Sequence, residues 1–153
     1  MKKPTYTTNI AKDSKRSTEY IVVCNFFNEE GSLPSFLKDL SKQTIQPYLI
    51  FLINDGSSDK SGVVAAETAE ELDFPYCLAE FPPKAKGNLD TIGRTWTIVQ
   101  KKIHELLSDV NFLAIADVDN TFPPDYFEKA IAYLKDNPKV GVVSGVHEGG
   151  SIR

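Results

Sequence analysis

Two cysteines, one methionine and one tryptophan are all that 153 residues provide of these types, and no apolar run approaches the roughly 18 residues of a membrane-spanning helix. Cys24 and Cys77 each sit inside an apolar segment, which reads as two buried, inert thiols and argues against a disulfide or a cysteine-built metal site. Residues 1–16 lack the apolar centre of a secretory signal, so a cytoplasmic chain is expected. Several chemical signatures are missing as well. There is no G-x-x-x-x-G-K-[ST] and no G-x-G-x-x-G after a strand, which removes a P-loop and a hydride-transfer Rossmann site. Ser57 has no G-x-S-x-G around it, which removes the simplest hydrolase. No internal repeat or low-complexity tract is visible.

With 41% hydrophobic and 25% charged residues, the chain suits one ordinary core and is too short for two typical domains. Charge is uneven. Lys2, Lys3, Lys12, Lys15 and Arg16 face only Asp13 within residues 1–16, a surplus of four positives that leaves −8 on the rest of a chain whose total is −4. That balance argues against nucleic acid as a partner. Residues 1–18 read as a basic, solvated N-terminal arm with weak attraction for an anionic membrane surface, and residues 19–153 as the folded domain.

Along that domain, apolar runs alternate with helical patterns. Tyr20–Cys24 is a β-branched run ending in polar Asn25, Asn28, Glu29 and Glu30. Ser32 is a candidate cap, Pro34 suits a first turn, and Leu33, Phe36, Leu37 and Leu40 mark one buried helix face. Tyr48–Ile53 is a second apolar strand, followed by Asn54-Asp55-Gly56-Ser57-Ser58-Asp59 and a weaker helical pattern over Lys60–Leu72 with apolar positions at Val64, Thr68 and Leu72. Tyr76–Glu80 is a third strand, and a loop with Pro82, Pro83, Lys84 and Lys86 comes next. Ile92, Trp96, Val99, Ile103 and Leu106 form the clearest helical stripe. Phe112–Ala116 reads as a strand buried on both faces, and a helix with Phe127, Ile131 and Leu134 inward runs to Asn137-Pro138. Val140–Val146 reads as strand five. This alternation predicts a three-layer α/β/α domain around a mostly parallel sheet with right-handed crossovers.

In such a sheet the loops after successive strands meet at the carboxyl edge, where ligands bind at the switch in strand order. Those loops carry Asn28 and Glu29, Asn54 and Asp55, Lys84 and Lys86, and Asp117 and Asp119. Turn and cap chemistry accounts for Asn54–Asp59 without a ligand, Ser58 or Asp59 being a good cap. Asp55, at the end of a buried strand, could accept hydrogen bonds from a base imide or a ribose hydroxyl. Neither turn nor cap requires both Asp117 and Asp119, and paired carboxylates call for a hard divalent cation. Lys84, Lys86 and Arg94 offer charge for a diphosphate or simply a solvated loop. His104 reads as an exposed or half-buried helix residue, whereas His147 and Glu148 follow strand five at the ligand edge.

The run Ile21–Glu30, the Asn54–Asp59 block, Gly93-Arg94-Thr95 and Asp117-Val118-Asp119-Asn120 resemble, in order, landmarks of the family 2 glycosyltransferases with the GT-A fold. Phe122–Phe127 and Pro138–Gly145 extend the likeness, which spans residues 20–146. The resemblance implies a Rossmann-like nucleotide-diphospho-sugar transferase fold in which Asp55 contacts the nucleobase, usually uridine, and Asn28 and Glu29 border it. It implies Asp117 on ribose or metal, Asp119 on Mn²⁺ or Mg²⁺, and Arg94 near the donor. The partners implied are a nucleotide sugar and a saccharide or lipid-linked acceptor, with inversion at the anomeric carbon. The pattern departs at Asn54, which replaces a first aspartate, and in the loop Phe81–Gly93, which is long and holds two prolines. The family continues into an acceptor-binding half with a general base, whereas 34 residues follow Asp119 here, so the expectation is a donor-binding part without its base.

Two other readings remain. A nucleotide-binding remnant without catalysis would carry the same donor residues. Asp117-Val118-Asp119-Asn120-Thr121 also matches the D-x-D-x-T signature of haloacid dehalogenase-like phosphatases, but that motif normally opens its chain and leaves the preceding elements without a purpose.

Overall fold

The computed structural model describes residues 3–10, 19–83, 92–106 and 110–145, the side chains of Ile92, Gly93, Arg94 and Leu106 excepted. Strands β1 (Thr5–Thr8), β2 (Tyr20–Phe26), β3 (Ile50–Asn54), β4 (Tyr76–Glu80) and β5 (Phe112–Ala116) form one sheet in the order β1-β4-β3-β2-β5. All neighbours in that order are parallel except β1, which runs antiparallel to β4. Helices α1 (Leu33–Ser41), α2 (Ser61–Glu71) and α4 (Tyr126–Asp136) contribute to the core on one face, while α3 (Ile92–Leu106) supplies Val99 and Ile103 to the core on the other. The expected mostly parallel three-layer domain is thus present.

The alternation of side chains along a strand sorts the two cores. Val22, Cys24, Ile50 and Leu52 face α1, α2 and α4, whereas Ile21, Val23, Phe51 and Ile53 face α3. Strand β2, paired on both edges and covered on both faces, is the most enclosed element: Ile21, Val22, Val23 and Cys24 are wholly buried. Helix α1 buries Leu33, Phe36, Leu37 and Leu40, the four positions its spacing predicts, although the Ser32 side chain makes no cap and the Leu33 N–H donates to the Glu29 carbonyl at 3.1 Å instead. In α2 the buried positions are Ser61, Gly62, Ala65, Thr68 and Ala69, a small-residue face that lets this helix approach closely; of the expected positions Thr68 is buried, and Val64 and Leu72 pack partly buried against the same core.

Helix α4 is anchored by stacking of Phe127 on Tyr20, ring centres 5.2 Å apart, and by donation from the Tyr20 hydroxyl to the Ile45 carbonyl at 2.8 Å. Buried Gln43 donates to the Pro123 carbonyl at 2.9 Å and Thr44 N–H to the Pro124 carbonyl at 2.8 Å. These bonds tie the segment that follows Asp117 and Asp119 to the connection between α1 and β3.

Three expectations are corrected. Thr5–Thr8, assigned to a solvated arm, pairs in register with Cys77–Glu80; its threonines suit a strand, and Asn9 closes the end by accepting from Tyr76 N–H at 2.8 Å and donating to the Phe74 carbonyl at 3.0 Å. Strand β5 is not buried on both faces. It lies at the sheet edge, and Leu113 and Ile115, on the α3 side, are 44% and 69% exposed. Residues 140–145 form no strand: Val140 N–H bonds back to Asn137 at 2.8 Å, Gly145 N–H donates to the Tyr126 hydroxyl at 2.9 Å, and Val142 is 85% exposed. A β-branched run needs a ladder partner, and none reaches it among the described residues. Val146 lies outside them.

Leu52 is wholly buried in the central layer. Leu52→Ala should therefore lower the free energy of unfolding by about 2–5 kcal/mol in urea titrations. Leu113→Ala, on the exposed edge, should change it by no more than about 0.5 kcal/mol.

Candidate functional site

The parallel order β3-β2-β5 brings the carboxyl ends of these strands side by side, at spacings of about 4.8 Å, so the loops carrying Asp55, Asn28 with Glu29, and Asp117 with Asp119 share one edge. Asp55 follows β3 directly and is 3% exposed; its N–H donates to the Phe26 carbonyl at 2.9 Å, which continues the ladder one step past the strand. Gly56 then takes φ 76, a left-handed value that glycine adopts without steric cost. Asn54, at the position where the family pattern often has aspartate, accepts the Ser57 N–H at 3.0 Å and so shapes the same turn.

Asn28 and Glu29 are held by the neighbouring loop. Asn28 adopts φ 57, its N–H donates to the Ser57 hydroxyl at 3.0 Å, and its side-chain oxygen accepts the Ser58 N–H at 2.9 Å. Glu29 N–H donates to the Ser61 hydroxyl at 2.7 Å, and Glu30 N–H to the Asp59 carboxylate at 3.4 Å. Lys60 N–H returns a bond to the Glu30 carboxylate at 2.9 Å. Asp59 also accepts the Ser61 N–H at 3.0 Å, and the Ser61 hydroxyl donates to the same carboxylate oxygen. The two acids beside the first turn of α2 satisfy N–H groups a helix leaves open and favour its positive end. Hydrogen bonds from Ser61, Glu30 and its own backbone hold the Asp59 carboxyl below its ordinary range, against the opposing effect of desolvation.

Asp117 and Asp119 are exposed while Val118 between them is buried. The strand does not extend through them: Asn120 N–H donates to the Asp117 carbonyl at 3.1 Å, closing a turn. Buried Cys24, one strand over, feels these charges. Desolvation raises its thiol pKa most, and Asp117, Glu29 and Asp119 raise it further, so these three carboxylates lie within electrostatic reach of one sulfur. Neither aspartate has a salt-bridge partner among the described residues. Nor do any three His, Cys, Asp or Glu side chains among them form a complete metal cage. Two carboxylates at i and i+2, open to solvent, fit the manner in which Mg²⁺ or Mn²⁺ is held: a pair of protein oxygens with phosphate and water oxygens completing the sphere.

A second feature was not foreseen. A cavity of about 370 Å³ opens beside the Asp55 turn, lined by Asn54, Ser57, Glu80 and Phe81 and, from the N-terminal segment, Lys3 and Thr5. It does not include Asp117 or Asp119. Bare Gly62 makes room here, since a Cβ on it would lie 2.8 Å from the Asn54 amide nitrogen and against the Glu80 carboxylate. The β-favouring stretch Thr5-Tyr6-Thr7-Thr8 was the available sequence signal for a strand in this place. Arg94 lies in the first turn of α3 with its side chain outside the described residues, as are Lys84, Lys86, His147 and Glu148 entirely. His104 stands exposed in α3, away from any assigned role.

Residues 21–88 match the family described as Glycosyl transferase family 2, which bears out the resemblance across the loops of Asn28, Glu29 and Asp55. Undecaprenyl-phosphate 4-deoxy-4-formamido-L-arabinose transferases of Serratia proteamaculans and Photorhabdus laumondii are 43% identical over 53 residues, 33% of this chain and 16% of theirs. Among solved structures, Staphylococcus aureus TarS 1–349 in complex with UDP-GlcNAc superposes with a TM-score of 0.61 at 16% identity over 78% of this chain and 32% of that one. The mannosyltransferase PcManGT of Pyrobaculum calidifontis, in complex with GDP-Man and Mn²⁺, gives 0.59 at 17% identity over 86% of this chain and 36% of that one. The fold is that of the GT-A glycosyltransferases. The chain spans about a third of the length of these structural neighbours and a smaller share of the curated relatives.

The buried thiols yield a pH test. Burial pushes the Cys77 thiol up from 9.0 to about 11, with Lys102 pulling weakly the other way. The unfolded chain releases that proton first, so this stabilisation is complete below pH 9.0 and is lost as pH rises toward about 11. Urea titrations across that interval should show stability falling, with a shallower decline in Cys77→Ala.

Proposed function

We propose that this chain is the nucleotide-sugar-binding part of a sugar transferase, moving a sugar from a nucleotide-sugar donor, a UDP-sugar by preference, to an acceptor hydroxyl with a divalent metal and inversion at the anomeric carbon. The observation that carries the proposal is the meeting, at one sheet edge, of the buried Asp55 turn with the exposed Asp117 and Asp119. In this reading Asp55 accepts the imide N–H of the base, Asn28 and Glu29 border the base, Asp117 takes a ribose hydroxyl or the ion, Asp119 takes the ion, and Arg94 adds positive charge toward the diphosphate. A bound Mn²⁺ or Mg²⁺ would neutralise charge that builds on the departing nucleoside diphosphate. Asp55 sits in a pre-formed turn, so recognition costs little reordering of the backbone.

The proposed acceptor is lipid-linked. The curated relatives are named for an undecaprenyl-phosphate substrate, which supports a lipid-linked acceptor in general terms, and the basic N-terminal residues suit peripheral contact with an anionic membrane surface. No helix among the described residues is long and apolar enough to cross a membrane.

Titration with UDP, with and without Mn²⁺, tests the reading in wild type, Asp119→Ala and Asp55→Ala. Wild type should bind tighter with the ion, Asp119→Ala should lose that enhancement, and Asp55→Ala should weaken binding in both conditions by about tenfold or more. Equal, ion-independent affinity in wild type and Asp119→Ala rejects the metal role. Turnover of a UDP-sugar by this chain would exclude a binding remnant without catalysis.

A further inference from the structure

We propose that Asp59 and Ser61 are positioning residues for the donor, acting by clasping the loop after β2 to the loop after β3 before any ligand arrives. The inference rests on the donor-site reading above and deepens it. Donor residues stand on both loops, Asn28 and Glu29 on one and Asp55 on the other, so their separation is set by whatever joins them.

That junction is made of hydrogen bonds running both ways. Ser61 is wholly buried, and its single hydroxyl is used twice: it accepts the Glu29 N–H at 2.7 Å and donates to the Asp59 carboxylate. The other carboxylate oxygen of Asp59 accepts the Glu30 N–H at 3.4 Å, and Glu30 reciprocates through Lys60 N–H at 2.9 Å. Asn28 is fixed in its left-handed conformation, φ 57, by bonds to Ser57 and Ser58 of the same opposing loop. The loops cannot separate without breaking several hydrogen bonds at once, those of buried Ser61 among them, which makes the clasp cooperative. Asp59 and Ser61 need not touch the donor to control its affinity. With the clasp intact, Asn28, Glu29 and Asp55 are already ordered as one surface; without it, that ordering falls on the binding step.

The test compares wild type, Asp59→Asn, Ser61→Ala and the double variant, measuring UDP affinity by calorimetry, amide hydrogen exchange and the thermal midpoint. Glu30 is exposed, so Glu30→Ala probes the same clasp should replacement of buried Ser61 impair folding. Expected are exchange at the Glu29 and Glu30 amides faster by about tenfold or more and UDP affinity weaker by about tenfold in each single variant, with the thermal midpoint moved by less than about 4 °C. The double variant should lose little more than the worse single, since both residues serve one device. UDP affinity within about twofold of wild type in the variants overturns the inference, as does a loss that merely tracks the thermal midpoint. Failure of the unaltered chain to bind UDP overturns the donor-site reading and this inference with it, and is told apart because it precedes any substitution.

Discussion

A strand buried on both faces can hide its backbone only by completing a hydrogen-bond ladder on each edge, and β2 meets that demand through β3 on one side and β5 on the other. Because both ladders are parallel, three loops far apart in sequence are delivered to the same edge. The proposed donor site depends on this arrangement. Asp55 is adjacent to the loop of Asn28 and Glu29 because β3 is adjacent to β2, and Asp117 approaches Cys24 because Cys24 and Ala116 are partners in the β2–β5 register. Side-chain parity does the rest, sending Cys24 toward α1 and α4 and its neighbours toward α3.

Features governed by local periodicity were legible in the sequence. The bounds of α3, β4 and β5 follow from the Ile92–Leu106 stripe and the Tyr76–Glu80 and Phe112–Ala116 runs, and the α1 face follows from Leu33, Phe36, Leu37 and Leu40. What escaped is non-local. Thr5–Thr8 is a strand only because β4 offers an edge, while residues 140–145, a better strand by composition, find no edge among the described residues. The apolar run of β5 suggested burial on both faces, yet a run reports only hydrophobicity, and the position in the sheet decides what covers it. At the site, Asp55, Asp117 and Asp119 stood out by their place after apolar runs. The bonds from Asn28 and Glu29 to Ser57, Ser58 and Ser61 could not be read, because pairings some 30 residues apart leave no periodic trace.

The edge divides into regions of contrasting character. Around Asp55, burial and backbone bonding give a stiff surface next to a cavity, suited to recognising a flat polar group by a few directed hydrogen bonds. Around Asp117 and Asp119, the carboxylates face solvent while buried Val118 pins the turn that carries them. Exposure there keeps the cost of two like charges low, since water screens them, and leaves their oxygens free to exchange partners.

That contrast bears on how an anionic ligand could be accommodated. Glu29, Asp117 and Asp119 all act on the Cys24 thiol, so a diphosphate laid across the β2 and β5 loops would meet negative charge from two sides. None of the salt bridges among the described residues brings a lysine or arginine to any of the three. Repulsion of this kind is removed only by positive charge placed between the phosphates and the carboxylates, and an ion shared by both has the shortest distances to each. The charge arrangement of the described residues thus gives the divalent ion proposed above a physical rationale separate from the resemblance to known transferases. On the proposed reading the ion belongs on the Asp117 and Asp119 side of the edge, where the carboxylates are exposed, and the base on the side of the buried Asp55 turn.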